Sequence, residues 1–382
     1  MKSSRLALAD KAVRLSPSDP EAHHARAVVL SEMGLFGEAV KEFERAVSLR
    51  PRDYTLWLKL GFARDQNADH EGASSAFREA VSRAPYYAQP RWHLGEFLLR
   101  AGRQEEAFAE LRRATGSDPA LLPAMIDLAW RTHGGDARRV QQAIQPRTAH
   151  ARLALGSFFV KHDNAAAAVD LFHTSTSVPD QDMHALLTGL LAAREFGESY
   201  RLWAVGRDAS GDTRSASGAV ITDGGFENPI VRDDPGFGWR LASDEKAVYA
   251  SLDTSEPHAG TRSLRLDCRG DFDSSTALLS QLVLVEPKAR YQLRFAARTQ
   301  EVVAGGLPMI TVTDVSTNDS LLAQSKPLPG GTTGWQSYAV EFAASETTNV
   351  VLVAVRRETC ADAPCPIFGR IWFDEFSLQK SL

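Results

Sequence analysis

Pro17, Pro51, Pro85 and Pro119 stand 34 residues apart, and four further ladders keep the same step. Ala12, Ala46, Ala80 and Ala114 form one; Ala39, Ala73 and Ala107 a second; Phe43, Phe77 and Leu111 a third; Ala27, Gly61 and Gly95 a fourth. Ladders in register at a period within about 20–50 residues restrict the N-terminal half to a stacked array of like units. The small residues belong where two helices cross closely, and the Phe/Leu position fills the space between neighbouring pairs. The proline falls after the second helix of each unit, where its ring and missing N–H stop the helix. One helix pair cannot bury its apolar stripe alone, so the units must stack.

The residues resemble the tetratricopeptide repeat. Trp57-x-x-Leu60-Gly61, Ala73, Phe77, Ala80 and Pro85 follow that pattern nearly in full. Segments 20–53 and 88–121 follow it less completely, with His23 and Arg91 in place of Trp. Residues 5–19 read as a second helix without its first. After Pro119 the pattern decays, then returns in part at Leu155-Gly156, Phe159, Ala168 and Phe172. Residues 182–206 read as a last, shortened pair. The expectation is a right-handed α-solenoid of five or six helix pairs over 1–206. The resemblance implies a peptide or protein partner in the groove lined by the first helix of each pair. The groove side chains it implies are His24, Leu58, Phe62, Asp65, Trp92, Glu96, Ile126 and Trp130, with Trp92 and Trp130 open to reading as a peptide clamp or as packing between repeats.

Residues 207–218 are small and polar and read as a linker. Beyond them the apolar period changes from 3.6 to 2. Tyr291-x-Leu293-x-Phe295 and Tyr338-x-Val340-x-Phe342 alternate as half-buried strands do. Eight strand signals separated by Pro and Gly turns predict an antiparallel β-sandwich, a jelly roll, over 219–382. The fold class expected for the whole chain is therefore multidomain α + β.

Four motifs follow in order: Asp223-Gly224-Gly225-Phe226-Glu227-Asn228-Pro229, His258-Ala259-Gly260-Thr261-Arg262-Ser263-Leu264, Thr333-Gly334-Trp335-Gln336-Ser337-Tyr338 and Phe373-Asp374-Glu375-Phe376-Ser377-Leu378. The succession resembles jelly-roll carbohydrate-binding modules of the family 4/9/22 kind, within the galactose-binding-like superfamily. That resemblance implies a structural calcium ion held by the Gly225 and Ala259 carbonyls and the Glu227 and Asp374 carboxylates, with Glu256 as a further ligand. Oxygen donors of this kind suit Ca²⁺, which takes six to eight hard ligands; the plainer alternative is that Glu227 and Asp374 cap turns. The resemblance also implies carbohydrate as ligand. Sugars stack on aromatic rings, and the candidates are Trp239, Tyr249, Tyr291 and Trp372, each of them equally readable as packing. Trp335 resembles a core position of the family and is left out.

Composition narrows the function. The net charge of −5 and the lack of a dense Lys/Arg run argue against nucleic acid. No run of about 18 apolar residues exists to span a membrane. The N-terminus reads as no signal peptide, so either the chain stays in the cytosol or its true start lies upstream; the module type and the close pair Cys360 and Cys365 point outward instead. Those two cysteines read equally as a short-loop disulfide or as free thiols, and Cys268 as a buried thiol. There is no G-x-S-x-G elbow, P-loop, G-x-G-x-x-G or H-E-x-x-H motif. Jelly-roll glycosidases need two facing carboxylates, and neither Glu341 nor Glu375 has an evident acidic partner. The reading is a non-catalytic scaffold, protein in the groove and carbohydrate on the sandwich, in a context such as cell-envelope polysaccharide assembly. A purely protein–protein adaptor is the second reading and a glycoside-active enzyme a remote third.

Overall fold

The computed structural model describes residues 2–173, 180–208, 221–231, 234–241, 247–271, 276–316, 319–360 and 365–381. Thirteen helices precede two antiparallel sheets among these residues, the α + β class expected. Two compact units divide the chain, Met1–Phe158 and Phe159–Leu382.

In the first unit, α1 (Lys2–Leu15) stands as a second helix without a first. Three pairs follow: α2 (Pro20–Glu32) with α3 (Phe36–Leu49), α4 (Tyr54–Gln66) with α5 (His70–Arg83), and α6 (Ala88–Arg100) with α7 (Gln104–Ser117). Every first helix here has 13 residues and every second helix 14, so the repeat is kept in length as well as in sequence. A 3₁₀ turn (Pro119–Leu121) leads into α8 (Leu122–Thr132) and the short α9 (Ala137–Ile144); α10 (Ala149–Lys161) reaches the division between units.

Local chemistry sets the helix starts. Asp19 and Asp53, 34 residues apart, accept from the backbone N–H groups of Glu21 and Thr55 and so cap α2 and α4. The position that varies as His23, Trp57 and Arg91 does one job throughout. Each side chain donates to the carbonyl of the ladder proline six residues earlier: His23 Nε2 to Pro17 at 3.0 Å, Trp57 Nε1 to Pro51 at 2.9 Å, Arg91 Nη2 to Pro85 at 3.1 Å. His23 is buried and its Nδ1 lies 2.6 Å from Glu42.

The small-residue ladders mark contact points. Ala27, Ala39, Ala73, Ala80 and Ala107 are fully buried. A Cβ on Gly61 would lie 2.9 Å from the Phe77 ring, and one on Gly95 2.7 Å from Leu111, so glycine is what lets these helices approach.

The second unit begins with α11 (Ala165–His173), α12 (Asp180–Ala192) and α13 (Phe196–Asp208). The sandwich follows as β1 (Arg240–Leu241), β2 (Val248–Asp253), β3 (Ser263–Asp271), β4 (Leu279–Leu284), β5 (Arg290–Ala304), β6 (Pro308–Asp314), β7 (Ser320–Gln324), β8 (Gly331–Ala343), β9 (Val350–Arg357) and β10 (Pro366–Ser381). One sheet runs β1-β4-β9-β6-β7 and the other β2-β3-β10-β5-β8, every pairing antiparallel. Leu264, Leu266, Leu293, Phe295 and Phe373 of the second sheet meet Val283, Ile310, Val312 and Val353 of the first in one core.

The division between units falls at Phe158/Phe159, upstream of the linker expected at 207–218. The reason is α13. Its Trp203 Nε1 donates to buried Asp234 at 3.0 Å, and the rings of Tyr200 and Trp203 lie 5.3 and 5.8 Å from Phe237. Arg207 and Asp208 end this helix, and residues 209–218 lie outside the described residues. Cys360 and Cys365 form a disulfide. Cys268 is buried, and burial pushes its thiol up to about 12, so it packs as an apolar side chain.

Candidate functional site

Each unit presents one face with binding chemistry. In the first unit the expected groove residues separate into two sets. Leu58 and Ile126 are only 4% and 2% exposed and belong to the core, not to an accessible wall. Leu58 packs with Phe77, Leu94 and Leu98 between helices, so the burial that stabilises the stack removes it from any partner.

The others are half-buried at the surface, and Phe62 and Asp65 are coupled to the next repeat. Phe62 packs edge-on against Phe77 at 5.1 Å and against His93 at 5.0 Å, which links α4 to α6. Asp65 pairs with Arg100 at 2.8 Å along the same two helices, with His70 at 3.3 Å. Glu96 is held by hydrogen bonds from His93 and Trp92, the former at 3.2 Å; against the opposing effect of burial these draw its carboxyl below the usual range. His24 is half-buried near Phe43, with Glu21 at 3.7 Å. Trp130 lies against Gly135 and edge-on to Phe158 at 5.5 Å, a packing role between helices. What remains is an aromatic and charged strip: Phe62, Asp65, Trp92, Glu96 and Arg100.

In the second unit, period-2 alternation decides which face each aromatic takes. Tyr291 shares parity with Leu293 and Phe295, is 1% exposed, and its hydroxyl accepts from the Glu286 N–H. Trp239 is buried against Phe226 and Phe376 at 5.3 and 4.9 Å, its Nε1 donating to the Asp223 carbonyl. Both are core residues, which corrects their reading as sugar platforms.

Trp372 takes the other face of β10, opposite Arg265 of β3 and Arg298 of β5, but it is only 5% exposed because these side chains cover it, so its ring is no open sugar platform. The Arg298 guanidinium lies 4.2 Å from the Trp372 ring centre and 5.4 Å from that of Trp335 on β8. Trp335, set aside as a core position, is thus half-buried on this outward face, with its Nε1 on the Glu256 carbonyl. Its parity, odd against the core residues Val340 and Phe342, was a signal for this placement. Tyr249, exposed on edge strand β2, carries Arg269 over its ring at 5.6 Å.

Charged groups surround these rings. Trp372 Nε1 donates to Asp253 at 2.7 Å, and Arg265 bridges Asp253 and Asp267. Burial opposes ionisation of Asp253, but hydrogen bonds from Ser255 and Trp372 and the charge of Arg265 outweigh it and hold the carboxyl at about 2. Asp253 and Asp267 on this face are thus tied to arginines. Glu341 accepts from Gln292, and Glu375 lies 2.6 Å from His258 Nδ1.

Four of the five expected calcium ligands, Gly225, Glu227, Ala259 and Asp374, line one cavity of about 560 Å³. Glu256 does not join them, because its carboxylate pairs with Arg298. Asp374 is fully buried at an irregularity of β10, and no cation pairs with it among the described residues. Burial pushes its carboxyl above the ordinary range, opposed by N–H donors from Ala259, Glu375 and His258, with the charge of Glu375 pushing further up. Glu227 accepts from Thr261 Oγ1 and the Thr261 and Arg262 N–H groups, which hold it low. Two carboxylates on one cavity, beside Gly225 and Ala259, offer the oxygen donors that suit a hard cation. No group of three or more His, Cys, Asp or Glu side chains converges among the described residues.

Solved structures similar to parts of the chain include MamA (16% identity, 44% of this chain and 82% of that one, TM-score 0.30). They include also a CBM4 structure (14%, 42% and 99%, 0.32) and YrrB, a TPR protein with an unusual peptide-binding site (16%, 43% and 88%, 0.29). None of the curated proteins matches the chain. The family model described as Tetratricopeptide repeat matches residues 24–88 and 63–121. Residues 24–121, from α2 to the 3₁₀ turn, are thus similar to tetratricopeptide repeats.

Proposed function

We propose that the chain is a non-catalytic binding scaffold, taking a polypeptide segment along the first helices of the repeats and carbohydrate on the outward face of sheet β2-β3-β10-β5-β8. The observation that carries the carbohydrate reading is the Trp372–Arg298–Trp335 stack. It leaves the half-buried Trp335 ring at the surface, backed by Arg298 and the buried Trp372, beside the hydrogen-bonding groups of Arg265, Asp253 and Asp267. Rings offer the C–H faces of a sugar a flat apolar surface, while fixed charged groups meet its hydroxyls. The strip of Phe62, Trp92 and Glu96 supports the polypeptide reading, since aromatic and charged anchors dominate such interfaces.

A glycan array on the full chain tests the first part. Trp335→Ala is expected to weaken binding of any retained polysaccharide by about tenfold or more, in the range of roughly 1–3 kcal/mol for losing one aromatic contact. Tyr291→Phe, a change inside the core, should leave it unaltered. An array with no reproducible binder leaves the purely protein–protein adaptor as the better account, and released sugar products would point to glycoside chemistry.

Calcium in the cavity of Gly225, Glu227, Ala259 and Asp374 belongs to the same proposal. An ionised Asp374 costs stability at neutral pH because its folded pKa is raised, and a cation bound there would return it. A ligand bound only to the folded state at a hundredfold excess over Kd stabilises by about 2.7 kcal/mol. Added Ca²⁺ should therefore raise the melting temperature of the sandwich by several degrees, and EDTA should reverse the shift. A melt indifferent to both would falsify the site.

A further inference from the structure

A second cavity, of about 960 Å³, opens within the first unit between the end of α7 and the α9–α10 connection. Three arginines, Arg112, Arg113 and Arg147, line it, and no carboxylate does. This runs against the chain as a whole, which carries a net charge of −5.

The three guanidiniums differ in their partners. Arg113 pairs with Glu110. Arg112 donates to the Ala143 carbonyl at 2.6 Å, near the end of α9, and Arg147 reaches only the Gln145 Oε1 at 3.4 Å. Among the described residues neither Arg112 nor Arg147 lies within ion-pair distance of an acid. Burial, then the charges of Arg147 and Arg113, hold Arg112 below the ordinary guanidinium range. Like charges gathered at one cavity repel, and a bound anion is what relieves them. Arg112 is oriented by the backbone carbonyl it serves, so its fork is held in place before any ligand arrives.

The remaining wall mixes the polar Thr115, Gln145 and Thr148 with apolar groups, among them Leu122 and Ile144, buried beside the arginines. The volume falls in the range of small-molecule sites, about 300–1,000 Å³.

We propose that this cavity binds a small organic anion, a carboxylate or phosphate ester, whose charged group sits between Arg112 and Arg147 and whose apolar body rests on Leu122 and Ile144. This site is separate from the aromatic strip of the repeats and from the sandwich.

Calorimetric titration of the full chain tests it, with benzoate, phenyl phosphate, phenol and inorganic phosphate as probes. Binding of benzoate or phenyl phosphate, with phenol failing to bind, is the expected result; which of the two binds tells carboxylate from phosphate. Arg147→Gln, at an exposed position, should weaken that binding about tenfold or more, as expected for losing one charge-assisted contact, while leaving helicity unchanged and the ligand-free melt no lower. Arg112→Lys should weaken it too, because a point charge does not replace a fixed fork. No binding of either organic anion overturns the proposal. So does equal affinity in Arg147→Gln, or inorganic phosphate binding as tightly as phenyl phosphate.

Discussion

Replacing Phe77 by alanine is expected to destabilise the repeats by about 3–5 kcal/mol, the range for deleting a buried aromatic ring. The ring is fully buried on α5 and touches neighbours on both flanking first helices, Phe62 at 5.1 Å and Phe97 at 5.2 Å. One deletion thus weakens two interfaces, and in a stacked array stability is close to a sum of such nearest-neighbour terms. Urea unfolding followed by helical circular dichroism measures the loss. Gly61→Ala alone should cost about 1–3 kcal/mol, because its new methyl group would lie 2.9 Å from the same ring. With the ring removed that methyl has room, so Phe77→Ala/Gly61→Ala should cost clearly less than the two single changes summed. Simple additivity would contradict the packing described.

The second large effect is expected at Asp234. Its carboxylate is buried and accepts from Trp203 Nε1 at 3.0 Å and from the Gly236 and Gly238 N–H groups at 2.8 Å each. Asp234→Ala leaves these three donors without an acceptor in a site closed to water. At about 1–3 kcal/mol for each orphaned buried donor, the expected loss is at least about 3 kcal/mol. Trp203→Phe keeps the ring against Phe237 but removes one donor, and should cost less, about 1–2 kcal/mol. A double-mutant cycle read by thermal unfolding isolates the coupling between the two side chains. An Asp234→Ala change of under about 0.5 kcal/mol, the scale of an ordinary surface substitution, would mean that α13 is not anchored to the sandwich through this contact.

The helical half was legible because its period is long and its constraints are steric. The ladders named from the sequence mark real contacts: alanines with no exposed surface from Ala27 to Ala114, Ala12 alone being half-buried, glycines under Phe77 and Leu111, and prolines after second helices. His23 and Arg91 looked like departures from the repeat. They keep the donor that Trp57 supplies to a proline carbonyl, so the position conserves a hydrogen bond and not a ring. His23 is also buried against Glu42, a bond that lies across helices and is invisible in the sequence of a single one.

In the sandwich, the eight strand signals correspond to β2–β6 and β8–β10. The two unannounced strands, β1 and β7, are two and five residues long and pair on one side only, too short to express a period. Of the ring candidates, Tyr291 was decidable by parity with Leu293 and Phe295. Trp239 was not, because it lies in an irregular stretch just before β1, where alternation has no meaning. The unit boundary was the least legible feature. Residues 207–218 have the composition of a linker, and composition carries no trace of Trp203 reaching Asp234.

That contact also bears on how the gene can be cut. A polypeptide begun near residue 215 would carry the sandwich strands but leave Phe237 bare and three buried donors' acceptor open to water. One begun at residue 159 would keep α13 over both. The smallest heritable part that includes the sandwich is therefore helical at its beginning, and fusions or exchanges that respect the apparent spacer would divide it through its own interior.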